Sequence, residues 1–130
     1  MTVLLLTINY SLMILVPAAL AVFIWRRTGA PWRFFFMGAV TFVLSQVLHI
    51  PFNAVVQRSG LLPATTATAG LLITALFLGL SSGVFEEVAR YLTYRFWARD
   101  ARTWSRGLML GAGHGGSEAI ILGVLGAVST

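Results

Sequence analysis

The sequence predicts an all-α membrane protein with four transmembrane helices. Of its 130 residues, 58% are hydrophobic and only 10% are charged, whereas a soluble domain carries about 25% charged residues. So few charges cannot cover the surface of a soluble globule of this size. The apolar residues also fall into four separate stretches, each near the ~20 residues that cross a bilayer. The composition excludes disorder, a coiled coil and collagen, and the absence of cysteine excludes a disulfide scaffold.

The four apolar stretches define the predicted helices in order. The first has no charge up to Trp25 and ends at Arg26 and Arg27, and because it lacks the basic start of a signal peptide it is predicted to be a retained helix. The second begins after Pro31, and the third has a helical pattern that continues to Trp97 as a cytoplasmic extension. The fourth is rich in glycine. The predicted spans are residues 3–25, 34–56, 67–97 and 107–128, within one transmembrane domain of residues 1–130.

The arginines predict the orientation of these helices. All nine basic residues are Arg, and the first and third connections hold seven of them, against only Arg58 in the second. By the positive-inside rule, both Arg-rich connections face the cytoplasm and both termini lie outside. Because the arginines flank apolar runs, they predict contact with membrane lipid and no nucleic-acid partner. The all-Arg basic content is typical of a GC-rich bacterial genome, so the expected location is a bacterial inner membrane.

Three polar residues interrupt the second apolar stretch. Gln46, His49 and Asn53 follow the spacing i, i+3 and i+7, which places them on one helical face. They are a candidate polar site, and Pro51 between them would open the backbone locally. The alternative is that these side chains only join helices through hydrogen bonds. The sequence leaves both interpretations open.

Two carboxylates and an arginine interrupt the end of the third stretch. Glu86 and Arg90 are four residues apart, so we expect them to pair, whereas Glu87 points about 100° away. A carboxylate inside an apolar run is a candidate general base. The alternative is a cluster of charges at the membrane surface, where carboxylates cost little.

The fourth stretch carries a histidine and a carboxylate among glycines. His114 and Glu118 are one helical turn apart, a spacing at which both can bind one metal ion. Gly107, Gly111 and Gly115 recur every four residues and predict close approach of another helix, which we expect to be the third helix. The alternative is packing glycines with a single His–Glu hydrogen bond.

Taken together, the three clusters supply the parts of a metal-dependent hydrolase. They offer His and acidic ligands, a Glu base for a metal-bound water and an Arg to hold charge. We therefore expect His114 and Glu118 to face the same interior cavity as Glu86. The third and fourth helices are joined by a short connection, so we also expect them to be antiparallel neighbours.

The motif Glu86-Glu87-x-x-Arg90 with Gly113-His114-Gly115-Gly116-x-Glu118 resembles the YhfC-type membrane peptidases. That family is grouped with the CAAX prenyl-protease and bacteriocin-processing intramembrane proteases. The resemblance covers about residues 34–122 and includes the His49–Asn53 segment. It implies peptide hydrolysis with a divalent metal, zinc, and a protein or peptide substrate. It assigns Glu86 as the general base, Glu87 and Arg90 as its supports, His114 to the metal or oxyanion side, and Glu118 as its neighbour.

The family is roughly twice as long as this sequence, which resembles its N-terminal half. We therefore expect the bundle to be completed by a missing C-terminal half or by another copy of the chain. Two other functions remain open. One is a small four-helix transporter or channel that uses Glu86 or Glu118 for coupling. The other is a membrane scaffold without catalysis.

Overall fold

The computed structural model describes residues 2–63 and 68–129, and the predicted start of the third span at residue 67 lies outside them. All regular elements in the described ranges are helical, and four of the helices are long and apolar enough to cross a membrane. The predicted all-α class and the four spans are confirmed. The helices are α1 (Thr2–Thr28), α2 (Arg33–Arg58), α3 (Thr68–Leu92) and α4 (Trp104–Val128), with a π-helical segment at Thr93–Trp97 after α3.

The turn between α1 and α2 is set by a glycine and a proline. Gly29 has a φ of 65°, a conformation that favours glycine, and its N–H donates to the Trp25 carbonyl at 2.8 Å. Pro31 follows, where its fixed φ and missing N–H favour the start of a new helix. The two helices are therefore joined by a short, sharply turned connection.

The third helix continues to Trp97 as predicted, but its last turn is wider than an α-helix. The N–H of Ala98 donates to the carbonyl of Thr93 at 2.7 Å, a bond that spans five residues. Thr93 is buried, and its hydroxyl lies 2.7 Å from that of Thr41 on α2. This side-chain hydrogen bond fixes the end of α3 against the middle of α2.

Helix α4 packs against α1 and α2, whereas α3 packs against α2. Within the described ranges, α3 and α4 make no extensive backbone contact, although Glu86 on α3 and His114 on α4 meet at 3.3 Å. Helix α4 instead fits most closely against α2. A Cβ at Gly38 would meet the Leu110 backbone, and one at Gly113 would meet the Phe35 backbone. These two glycines let α2 and α4 cross at backbone contact.

The predicted glycine stripe is not a helix contact. No heavy atom of the described residues outside the local helix lies within 4 Å of a Cβ built at Gly111 or Gly115, and Gly107 meets only the Tyr94 hydroxyl at 3.8 Å. The predicted close approach of α3 to this glycine stripe is therefore wrong. Instead, the face of α4 that carries Gly113 is the one that packs against α2.

Both Arg-rich connections lie at one end of the bundle, which we call the Arg-rich end. Arg33 at the start of α2 forms an ion pair with Asp100 in the α3–α4 connection. Arg106 also reaches Asp100, at 3.5 Å from its carboxylate and 2.7 Å from its backbone carbonyl. The shared end agrees with the distribution of arginines. Its cytoplasmic location stays a prediction.

Candidate functional site

One face of α2 carries the first part of the site. Phe42, Gln46, His49 and Asn53 follow helical spacing and line one cavity. His49 is only 5% exposed. A histidine this deeply buried needs hydrogen-bond partners, because an unpaired polar group in an apolar interior is costly.

His49 has these partners on two helices. Its Nε2 lies 2.9 Å from the Ser81 hydroxyl on α3 and 3.0 Å from the Asn53 side-chain nitrogen, and its Nδ1 lies 3.5 Å from Gln46 Oε1. The ring of Phe85 also packs against the His49 ring, with centroids 5.2 Å apart. The three residues predicted to share a face therefore form one hydrogen-bonded cluster that joins α2 to α3.

Glu86 joins α3 to α4. Its Oε2 lies 3.3 Å from His114 Nε2, and its Oε1 accepts a hydrogen bond of 2.8 Å from the Ser82 hydroxyl. The Glu86 side chain is only 17% exposed. The expected Glu86–Arg90 pair is wrong, because Arg90 pairs with Glu87. Glu86 instead has partners one turn earlier on α3 and across on α4.

His114 is held between two neighbours. It is 4% exposed, and its ring meets the Phe42 ring edge-on with centroids 5.5 Å apart. With Nε2 facing Glu86, its Nδ1 is buried and has no hydrogen-bond partner among the described residues. His114 Nε2 and Glu86 Oε2 therefore lie side by side, whereas one interior cavity shared by His114, Glu118 and Glu86 stays a prediction.

A cavity of about 310 Å³ lies between the α2 face that carries His49 and the α3 face that carries Glu86, and we call it the polar cavity. Glu118 lines it one turn beyond His114, although Glu118 itself is exposed. Along the helix, Glu86 lies about 16 Å from Trp97, or about half the thickness of the hydrocarbon core. The polar residues that line the cavity are Gln46, His49, Asn53, Ser82, Glu86 and Glu118.

The donor chemistry of this site suits a divalent ion, but the described residues do not complete a metal site. Imidazole nitrogen and carboxylate oxygen are both zinc ligands, and a catalytic zinc takes three from the protein. In the ranges 2–63 and 68–129, no three His, Cys, Asp or Glu residues lie close enough to hold one ion. His114 Nε2 faces Glu86, and the role of His114 and Glu118 as metal ligands stays a prediction.

Glu87 and Arg90 lie apart from this cavity. They form an ion pair with each other, the Glu87 side chain is 69% exposed, and the described contacts include no hydrogen bond from either to Glu86. Their predicted support of Glu86 therefore stays a prediction.

Sequence reasoning missed three partners of the site residues, namely Ser81, Ser82 and Phe42. Ser81 and Ser82 bind His49 and Glu86, and Phe42 packs against His114. Ser82 stands four residues before Glu86 and Phe42 seven before His49, so helical spacing offered a signal for both. Ser81 offered none, because its partner lies on another helix.

Comparisons with known proteins give one family and one relative. The family model described as YhfC intramembrane metalloprotease matches residues 12–130. A Bacillus subtilis (strain 168) protein described as uncharacterized membrane protein YhfC is 36% identical over 129 residues. That alignment covers 95% of this chain and 48% of the relative, so the chain spans about half the length of the relative. No solved structure matches the chain.

Proposed function

This chain belongs to the YhfC intramembrane metalloprotease family, and on that premise we propose that it forms part of an enzyme that hydrolyses peptide bonds inside the membrane. The observation that carries the proposal is the contact between Glu86 Oε2 and His114 Nε2, 3.3 Å apart beside the polar cavity. Ionisable groups at this depth are costly, and they persist mainly where they face a functional interior.

In the proposed reaction, Glu86 is the general base. It accepts a proton from a water molecule in the polar cavity as that water attacks the peptide carbonyl, and it passes the proton to the amine nitrogen as the C–N bond breaks. The Ser82 hydroxyl binds Oε1 and His114 lies beside Oε2, so the carboxylate is held in one orientation. Such orientation matters because a base must lie within hydrogen-bond reach of the proton that it removes.

The polar residues of α2 are proposed to hold the substrate. Asn53 and Gln46 carry side-chain N–H groups, and both line the cavity that contains Glu86. An N–H donor directed at the peptide carbonyl stabilises the negative charge that develops on its oxygen. Ser81 and Asn53 in turn hold His49 in place.

The metal that the family name implies is proposed to be zinc, with His114 and Glu118 as its ligands from α4. A bound zinc ion lowers the pKa of its water and polarises a carbonyl group. The remaining ligand would come from outside the described residues, since no complete set lies within them. Glu87 and Arg90 are proposed to act indirectly, by fixing the turn of α3 that carries Glu86.

The proposed substrate is a protein or peptide with a segment inside the bilayer, because the polar cavity lies about halfway through it. The chain is a multi-pass membrane protein, and we place it in the bacterial cell membrane. The activity belongs to the whole bundle, of which this chain covers about half in the Bacillus relative.

The test is cleavage of transmembrane peptides. The chain is reconstituted in liposomes with Zn²⁺ and a pool of synthetic transmembrane peptides, with and without the half of the Bacillus relative that it does not cover. Products are measured by mass spectrometry. Glu86→Gln keeps the shape of the side chain and removes its basicity, so we expect turnover to fall about 100-fold or more. Equal cleavage by this variant would remove Glu86 from the mechanism.

The topology has its own test. We expect both termini outside the cytoplasm and the Arg-rich end inside, because seven arginines lie in those two connections. The chain has no cysteine, so Gly29→Cys introduces a single reactive thiol in the α1–α2 connection. A membrane-impermeant maleimide should label it only after the cells are opened. Labelling in intact cells would reverse the proposed orientation.

A further inference from the structure

A large apolar cleft runs along the side of α4 that does not pack against α2. Its volume is about 1070 Å³, and its walls come from α1 and from the end of α3. We call it the Gly111 cleft. The residues that define it are Leu20 on α1, Tyr91 on α3, Tyr94 in the π-helical segment, and Gly107, Gly111 and Gly115 on α4.

We propose that the Gly111 cleft binds a further transmembrane helix. This helix comes from the half of the longer relative that this chain does not cover. This helix would present small residues to the glycine floor and a hydrogen-bonding side chain to Glu87. Helix assembly and protease activity are measured by different experiments, so a failure of one can be told from a failure of the other.

The floor of the cleft has the shape that a helix needs. A Cβ built at Gly111 or Gly115 meets nothing within 4 Å. Glycines spaced by four residues allow two helix backbones to approach closely inside a membrane, where association depends on packing and hydrogen bonds. On the opposite face of α4, Gly113 already makes such a backbone contact with Phe35. The same helix therefore has one glycine face that is occupied and one that is open.

An ion pair on α3, one turn from the cleft residue Tyr91, favours protein over lipid as the occupant. Glu87 stands one turn before Tyr91, so the two share a helical face, and the Glu87 side chain is 69% exposed. Arg90 pairs with Glu87, but its Nε is buried and has no hydrogen-bond partner among the described residues. An ion pair at membrane depth that faces acyl chains is costly. A helix that offers a polar side chain here removes that cost.

The length of the relative identifies the source of this helix. The alignment covers 48% of the Bacillus relative, so about half of that protein has no counterpart in these 130 residues. The two extensive contacts of α4 are with α1 and α2, and they leave the cleft side of α4 open. A helix from the uncovered half would close the bundle at this position.

The test is cross-linking from the floor of the cleft. Gly111→Cys introduces a single thiol, which is labelled with a benzophenone maleimide in membranes that also contain the uncovered half of the Bacillus relative as a separate, tagged polypeptide. The control is Val124→Cys on the same helix, at an exposed residue outside the cleft. We expect illumination to produce an adduct between the chain and the tagged half from position 111 and not from position 124.

A second variant measures the fit. Gly111→Ile fills the floor where the structure has open space, so the chain itself should fold normally. Co-purification of the tagged half should fall about tenfold or more, whereas Val124→Ile should not change it. An adduct of two copies of the chain, an adduct with lipid alone, no adduct, or unchanged co-purification of Gly111→Ile would each overturn the proposal.

Discussion

Glu86 and Glu87 are consecutive in the sequence and lie in two different regions of the molecule. Glu86 faces the polar cavity, where His114 and Ser82 bind it and its side chain is 17% exposed. Glu87 pairs with Arg90 and is 69% exposed, one helical turn before Tyr91, which lines the Gly111 cleft. Consecutive residues on a helix point about 100° apart, so one motif serves two surfaces. On the side of the polar cavity, helices of this chain surround the carboxylate. On the side of the cleft, we propose that a further helix does so.

The largest expected difference between the cavity side and the cleft side is in Zn²⁺ affinity. His114→Ala removes the imidazole proposed as a zinc ligand, and we expect the Zn²⁺ affinity of the chain, co-purified with the uncovered half of the Bacillus relative, to fall about 100-fold or more. The measurement is isothermal titration in detergent. The matched variant is Glu87→Gln, on the cleft side, which should leave the affinity within about threefold. Equal losses in both variants would show that the polar cavity is not the metal site.

Two glycines on α4 provide the next comparison. A Cβ at Gly113 would stand 2.8 Å from the Phe35 Cα, in a backbone crossing that cannot yield easily, whereas Gly111 faces open space. Gly113→Ala should lower the free energy of unfolding by about 2–3 kcal/mol, and Gly111→Ala should change it by less than about 0.5 kcal/mol. Unfolding in mixed micelles with increasing SDS measures both. A stable Gly113→Ala variant would contradict the close α2–α4 crossing.

The smallest expected difference concerns hydrogen bonds. Asn53→Ala removes a side chain that bonds His49 one turn earlier on α2 and accepts a hydrogen bond from Ser81 on α3, and hydrogen bonds between membrane helices contribute about 0.6 kcal/mol on average. Tyr91→Phe removes an exposed hydroxyl that accepts a bond from Arg95 at the cleft side, so its unfolding free energy should barely change. The same SDS titration compares them. A larger loss for Tyr91→Phe would place an unrecognised contact in the cleft.

Helical spacing predicted much of the candidate site. It placed Gln46, His49 and Asn53 on one face, and it placed His114 and Glu118 one turn apart on another helix. It could not choose the partner of Glu86, because Arg90 and Ser82 both stand four residues from it and His114 lies on another helix. Spacing fixes what lies on one face of a helix, and it does not fix which face meets which neighbour.

The sequence by itself determined the membrane class, the four helices and the shared end of the two Arg-rich connections. These depend on local composition, since an apolar stretch of sufficient length must form a helix to satisfy its backbone in lipid. The tertiary structure decided which helices pack together. Gly113 and Gly38, rather than the regular stripe through Gly111, let α4 approach α2 at backbone distance, because close packing depends on how two whole surfaces fit and not on a repeat within one of them. This packing of α4 against α2 places His114 beside Glu86, and it leaves the face of α4 that carries Gly111 open.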